Sequence, residues 1–353
     1  MTTALTVRAG RKQNAILRPV PWRRMAWVTW RQHRAALTGT AVLFVVLTVG
    51  FWIAGLRLHH AYSAATACRP PGSFACGDLM NTFNGMYGFL TNGLILQAVP
   101  ALIGAFVGAP VLAREMETGV FRFSWTQGFG RWRWTIAKLV ALAAVVTAAA
   151  GAITVLFSWY YQPYFSAVNQ ASLAPKGGLI GASPFAPGLF DLRGVTFATW
   201  TLAAFSIGVL AGILIRRVVP AMVATLAVYA GLAVVVIGFL RQHYLTPLIS
   251  HSRNLPASSL VVSQQWMKGG HAVSQTVIDE VLNRGGSKVF GKGGIPQSSD
   301  TTQYLAQHGF TLLTRYQPAT RFWPFQWIEG GWLLALSVLL IAVSVWLVSR
   351  RAT

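Results

Sequence analysis

Six stretches of this chain run 20 residues or more without Asp, Glu, Lys or Arg: 35–56 (22 residues), 79–113 (35), 139–175 (37), 194–215 (22), 218–240 (23) and 330–349 (20). A helix needs about 20 residues to cross the hydrocarbon core of a bilayer. A charge at its centre costs at least ~2.5 kcal/mol. These gaps therefore predict six membrane-spanning helices. The two longest exceed one span. Asn81, Asn84 and Asn92 place the second near 93–113, and Tyr160-Tyr161-Gln162-Pro163 is expected to end the third near 158. A soluble helical core is a poor fit, because soluble helices keep a polar face and neither Thr40–Leu56 nor Trp332–Val348 has one.

Composition agrees. Apolar residues make up 54% of the chain and charged residues 10%, well below the charged share of roughly 25% in soluble domains. The mean hydropathy is +0.50. A net charge of +21 first suggests nucleic acid, but the basic residues flank apolar stretches, as they do beside anionic headgroups. Nucleic acid is not expected as a partner; membrane lipids are. Lys and Arg in the short loops number 17 on one side, that of both termini, and 4 on the other. The richer side is expected to be cytoplasmic, which predicts a multi-pass protein of the cell (plasma) membrane with both ends inside.

The expected fold is an all-α integral membrane protein in four parts. Residues 1–34 form a cytoplasmic N-terminus. Residues 35–240 hold helices 1–5 and a cytoplasmic loop, 114–138. Residues 241–329 form a small outer domain, and residues 330–353 the sixth helix and tail. Trp22, Arg23, Arg24, Trp27 and Trp30 follow Pro21 at helical spacing. They read as an amphipathic interfacial helix, or else as an extension of span one. In the outer domain Val273–Leu282 and Tyr304–Tyr316 are helix candidates, and Arg284–Ser299 is a Gly-rich loop. Arg321–Trp327 is an aromatic belt before span six.

Little catalytic chemistry is legible. Gly286-x4-Gly291-Lys292 misses the P-loop pattern, because Gly293 stands where the Mg²⁺-binding hydroxyl belongs. No catalytic residue, cofactor or metal is expected in the chain. Cys68 and Cys76, the only cysteines, lie on the outer side and form either a disulfide or two free thiols. A zinc site at His59 and His60 lacks fixed geometry. No Asp, Glu or His falls inside a confident span; Asp191 and Glu329 sit at outer ends. Weakly polar groups on apolar helices, Gln97, Thr199, Ser206, Thr225 and Tyr229, either line a translocation path or bond helix to helix. Pro100 and Pro110 are candidates for kinking span two.

The loop 114–138 carries the most information. Glu115 and Glu117 are the only acids on the expected cytoplasmic side, and Gly119, Arg122, Arg131 and Lys138 follow. It reads as a charged connector or as a docking helix for a cytoplasmic partner. Here the chain resembles the membrane subunits of ABC-2-type exporters, which carry an acidic Glu-x-Glu-x-Gly loop between spans two and three. Glu115, Glu117 and Gly119 match that motif. The segment Tyr316–Glu329 resembles the actinobacterial branch of these permeases. The resemblance implies a permease subunit without ATPase activity of its own, forming the translocation path. Its coupling residues would be Arg114, Glu115, Glu117, Gly119, Arg122 and Arg131. It implies two copies of a separate ATPase subunit holding ATP and Mg²⁺, and a second permease copy, identical or related. The alternative is a membrane sensor or scaffold whose outer domain binds a ligand or protein.

Overall fold

The computed structural model describes residues 22–70, 73–88, 94–118, 131–169, 183–251, 255–256, 258–285 and 298–350. Six helical segments are long and apolar enough to cross a membrane: Phe44–Ala67, Leu96–Glu117, Thr135–Ala167, Thr196–Ile215, Val218–His243 and Ala319–Arg350. The chain is an all-α integral membrane protein in its spanning part.

Helix α1 (Trp22–Ala67) continues unbroken into span one. Its side chains from Trp22 to Trp30 lie outside those described. The helix also runs past Arg57, so the charge-free gap marks only part of it. Helix α2 (Phe74–Gly88) follows, behind a disulfide between Cys68 and Cys76, whose Cα atoms are 5.7 Å apart. His59 stacks on Trp159 and its Nε2 lies 3.0 Å from the Trp159 carbonyl. Among the described residues no three metal-ligating side chains come together.

Span two is assembled from α3 (Leu94–Ile103), a π-turn (Gly104–Gly108) and α4 (Pro110–Thr118). The Ala109 N–H reaches back five residues to the Gly104 carbonyl. Such a wide turn absorbs the irregularity expected between Pro100 and Pro110. Span three lies in α5 (Arg131–Asn169), which passes straight through Pro163. The expected end near residue 158 is corrected here. Tyr160 and Tyr161 do not mark an interface; both are buried. Tyr160 packs against Phe51, and Tyr161 against Phe157. Packing of that kind holds a helix together across a proline within a bundle.

A short helix, α6 (Pro187–Leu192), leads into span four, α7 (Thr196–Ile215). Helix α7 is apolar all round because it is the central helix, with neighbours in spans two, three, five and six. Its approach to span two is very close. A Cβ on Gly104 would lie 2.5 Å from the Ala204 carbonyl, and one on Gly212 2.5 Å from that of Ala109. Only glycine allows this, as in the small-residue interfaces of other membrane helices. Span five is α8 (Val218–Val235) followed by a π-turn (Val236–Leu240) and a 3₁₀ turn (Arg241–His243). Most of its surface faces outward.

Between spans five and six lies a unit that the sequence does not announce: a four-stranded antiparallel sheet in the order β1-β4-β2-β3. The strands are β1 (Leu248–Ser250), β2 (Leu260–Lys268), β3 (His271–Ala272) and β4 (Phe310–Gln317). Gly269 and Gly270 make the two-residue β2–β3 turn, both with positive φ (57° and 84°), as a primed hairpin turn demands. Helices α9 (Gln275–Gly285) and α10 (Ser298–Gln307) pack on the sheet through Ile278, Leu305 and Phe310. The expected helix over Tyr304–Tyr316 is corrected: helix ends at Gln307 and Phe310–Gln317 is strand. Phe310 and Thr314 are buried on one face and Thr311 and Arg315 exposed on the other, while Gln317, on the exposed parity, is buried where the strand meets the bundle. Helix α11 (Phe322–Arg350) then forms span six, starting eight residues before the charge-free gap.

Candidate functional site

Among the described residues, two places bring ionised side chains together with buried partners, one at each end of the bundle. At the end where α1 begins and α11 finishes, α4 meets spans three and five. Glu115 is half-buried, and its Oε1 accepts a hydrogen bond from the Lys138 Nζ at 2.6 Å. The same ammonium donates to the Val111 carbonyl at 3.1 Å. Lys138 is fully buried, so the pair needs its short geometry to offset desolvation. Glu117 faces the other way. Its Oε2 accepts from the Val218 N–H at 3.2 Å, one of the unpaired amides at the start of α8, where a negative charge also meets the helix dipole.

The two acids of the Glu-x-Glu pair therefore bind this chain. Glu115 ties α4 to span three, and Glu117 ties it to span five. Arg114 is exposed. Gly119 and Arg122 lie outside the described residues. Arg131 opens α5, and its side chain is likewise outside them.

At the opposite end, spans two, four, five and six converge on a buried ion cluster. Arg241 is 3% exposed and Glu329 fully buried. The Arg241 Nε donates to Glu329 Oε2 at 3.1 Å, and its Nη2 to Glu329 Oε1 at 2.9 Å. The same Nη2 pairs with Asp191 Oδ1. The guanidinium lies 4.2 Å over the Phe190 ring, while its Nη1 finds no partner. Trp200 Nε1 and the Tyr244 hydroxyl add two further donors to Glu329, at 2.9 and 3.3 Å. The π-turn before Arg241 sets its direction: Phe239 and Leu240 are exposed and Arg241 is buried. One extra residue in a turn rotates the following side chains to another face.

Gln326 completes this end. Its Oε1 accepts from the Val195 and Thr196 N–H groups at 3.0 and 3.1 Å, capping α7, and its Nε2 donates to the Phe190 carbonyl at 2.8 Å. Asp191 lies on α6, just before span four. Burial pushes its carboxyl up to about 7; Arg241 opposes this and Glu329 reinforces it.

The five path candidates separate into two groups. The Gln97 Nε2 donates to Asp191 Oδ2 at 2.7 Å, and the Tyr229 hydroxyl to the Gln97 carbonyl at 3.4 Å. Both line a small pocket beside Asp191, with Trp200 and Phe197. Thr199, Ser206 and Thr225 bond back to carbonyls of their own helices, at Val195, Leu202 and Ala221. These three contribute no polar group to that pocket. Arg241, Glu329 and Gln326 are missed by sequence reasoning. The available signal was the position of Arg241 and Glu329, one on each side of the sheet unit and each at the edge of an apolar gap.

No curated protein and no solved structure matches the chain. A family model described as ABC-2 membrane transporter related matches residues 41–241, a stretch that reaches from span one to the arginine of the ion cluster. The chain belongs to this ABC-2 membrane transporter related family.

Proposed function

We propose that this protein is the membrane subunit of an ABC-type exporter, moving its substrate outward on the power of separate ATPase subunits. The observation that carries the reading is the double attachment of α4. Glu115 binds Lys138 on span three and Glu117 binds the first amide of span five. A push on α4 from an ATPase at that end is transmitted to two spans at once, by an ion pair and a capping bond. The termini and α4 then lie in the cytoplasm of a cell (plasma) membrane, and the sheet unit lies outside, in keeping with the Lys/Arg bias of the short loops. Two ATPase copies and a second permease chain complete the assembly.

The test is reconstitution with a P-loop ATPase that co-purifies with the chain. Glu117→Ala removes both the acceptor and the charge that hold the start of span five. We expect the complex to assemble but its stimulated ATP hydrolysis to fall about tenfold. Unchanged stimulation in this variant overturns the coupling role. A sensor or scaffold, by contrast, keeps its function without any ATPase.

A further inference from the structure

Charge counting around Arg241 leaves a remainder. Glu329 accepts four hydrogen bonds, two of them from the Arg241 guanidinium. Arg241 balances that carboxylate. Asp191 has Arg241 as its sole ion-pair partner among the described residues, and that partner is already matched. The aspartate is 6% exposed. A buried carboxylate without its own counter-charge takes up a positive species. It lies at the wall of a pocket between spans two, four and five, whose lining includes Gln97, Phe197, Trp200 and Tyr229 and the aliphatic Ala233 and Ile237. One carboxylate among three aromatic rings is the chemistry that receives an organic cation.

We propose that this pocket binds the ammonium group of an amine, with Asp191 as its counter-ion, and that the cation replaces a proton. When the amine enters, the Asp191 proton leaves to water; when it departs, a proton returns. The pocket is small, so it takes the ammonium head while an apolar tail points away. The charged and titratable groups around Asp191 are Arg241 and Tyr229 from span five, Glu329 from span six and Tyr244 beyond span five; Arg193, two positions on, turns to the rings of Phe165 and Phe322. With the carboxyl raised by burial to about 7, the exchange falls in the physiological range. The inference rests on the transport reading and names the substrate class for the same path.

The experiment is calorimetric binding of octylammonium, with octanol as the uncharged control, to the purified chain in dodecyl maltoside between pH 5 and 9. A primary amine stays protonated throughout, its pKa being about 10 as for lysine. We expect octylammonium to bind at least tenfold more tightly than octanol at pH 8, and to weaken about tenfold per unit below pH 7. Asp191→Asn removes both the preference and the pH dependence. Tyr229→Leu weakens binding several-fold and leaves the pH dependence. Equal binding of amine and alcohol, or wild-type behaviour in Asp191→Asn, overturns the proposal. Nanodiscs with and without phosphatidylethanolamine separate the two sources of the group: competition assigns the site to a lipid headgroup, and undiminished binding assigns it to a free amine. No ATPase is involved, so a failure here leaves the coupling test intact.

Discussion

Asp191 is a buried carboxyl whose state responds to pH near neutrality. Its carboxyl is raised from the ordinary carboxylate range to about 7, first by burial and then by Glu329, against the pull of Arg241. The folded chain thus holds a proton that the unfolded chain has already lost. For a carboxyl raised on folding, stability is greatest below the unfolded pKa of about 4 and falls as pH rises towards 7. Asp191→Asn fixes the neutral form. We expect the variant to match the wild type in thermal unfolding near pH 4 and to exceed its Tm at pH 8. A Tm difference that does not change between those pH values counts against the raised carboxyl. The sequence shows Asp191 and Glu329 only as acids at span ends. Their partnership crosses 138 positions, and no local pattern encodes a contact between α6 and α11. Gln97 and Tyr229 were legible because a polar side chain on an apolar helix stands out. Thr199, Ser206 and Thr225 stand out equally and satisfy themselves on their own helices, which is the cheaper solution in a medium without water.

At the scale of elements, hydrocarbon made the spans legible and told less about their ends. A stretch without charge must lie in the bilayer or be buried, but a helix continues past it wherever packing supports it. Hence α5 runs through Pro163 and α1 past Arg57. Strand β4 was hidden for a different reason: Phe310-Thr311-Leu312-Leu313-Thr314 carries adjacent leucines, which suit a helix face as well as a pleat. The close seam between spans two and four depends on residues without side chains. A Cβ on Gly208 would be within 2.8 Å of the Ala109 amide nitrogen, whereas one on Gly231 in span five meets nothing within 4 Å. Overpacking of this kind costs about 1–3 kcal/mol or more. We expect Gly208→Leu to lower the unfolding midpoint in detergent by many degrees or to prevent accumulation, and Gly231→Leu to leave both unchanged. Equal behaviour of the two variants contradicts the seam.

The whole molecule is a bundle with a sheet unit between spans five and six, and the way the two join bears on the choice between transport and sensing. The chain leaves span five and returns to span six through strands that are hydrogen-bonded neighbours: Leu248 faces Tyr316 and Ser250 faces Thr314 in the β1–β4 pair. Facing residues of an antiparallel pair lie about 5 Å apart. Just below, the Gln317 Nε2 donates to the Leu245 carbonyl at 2.7 Å and the Arg321 Nη1 to the Thr246 carbonyl at 2.7 Å. The ends are therefore held together before the sheet begins. The core of the sheet unit, Ile278, Leu305 and Phe310, forms a cluster separate from that of the spans, although Leu260 of β2 packs against the Phe185, Phe190, Phe322 and Phe325 cluster at the end of the bundle. Replacing residues 249–315 by a short Gly-Ser linker should leave insertion, assembly and ATPase stimulation within about twofold of the wild type, since neither the ion cluster nor α4 loses a partner. A bundle that fails to insert would show that the sheet holds the spans together. A bundle that inserts and couples normally but loses its cellular role would assign that role to the sheet, as a sensor requires.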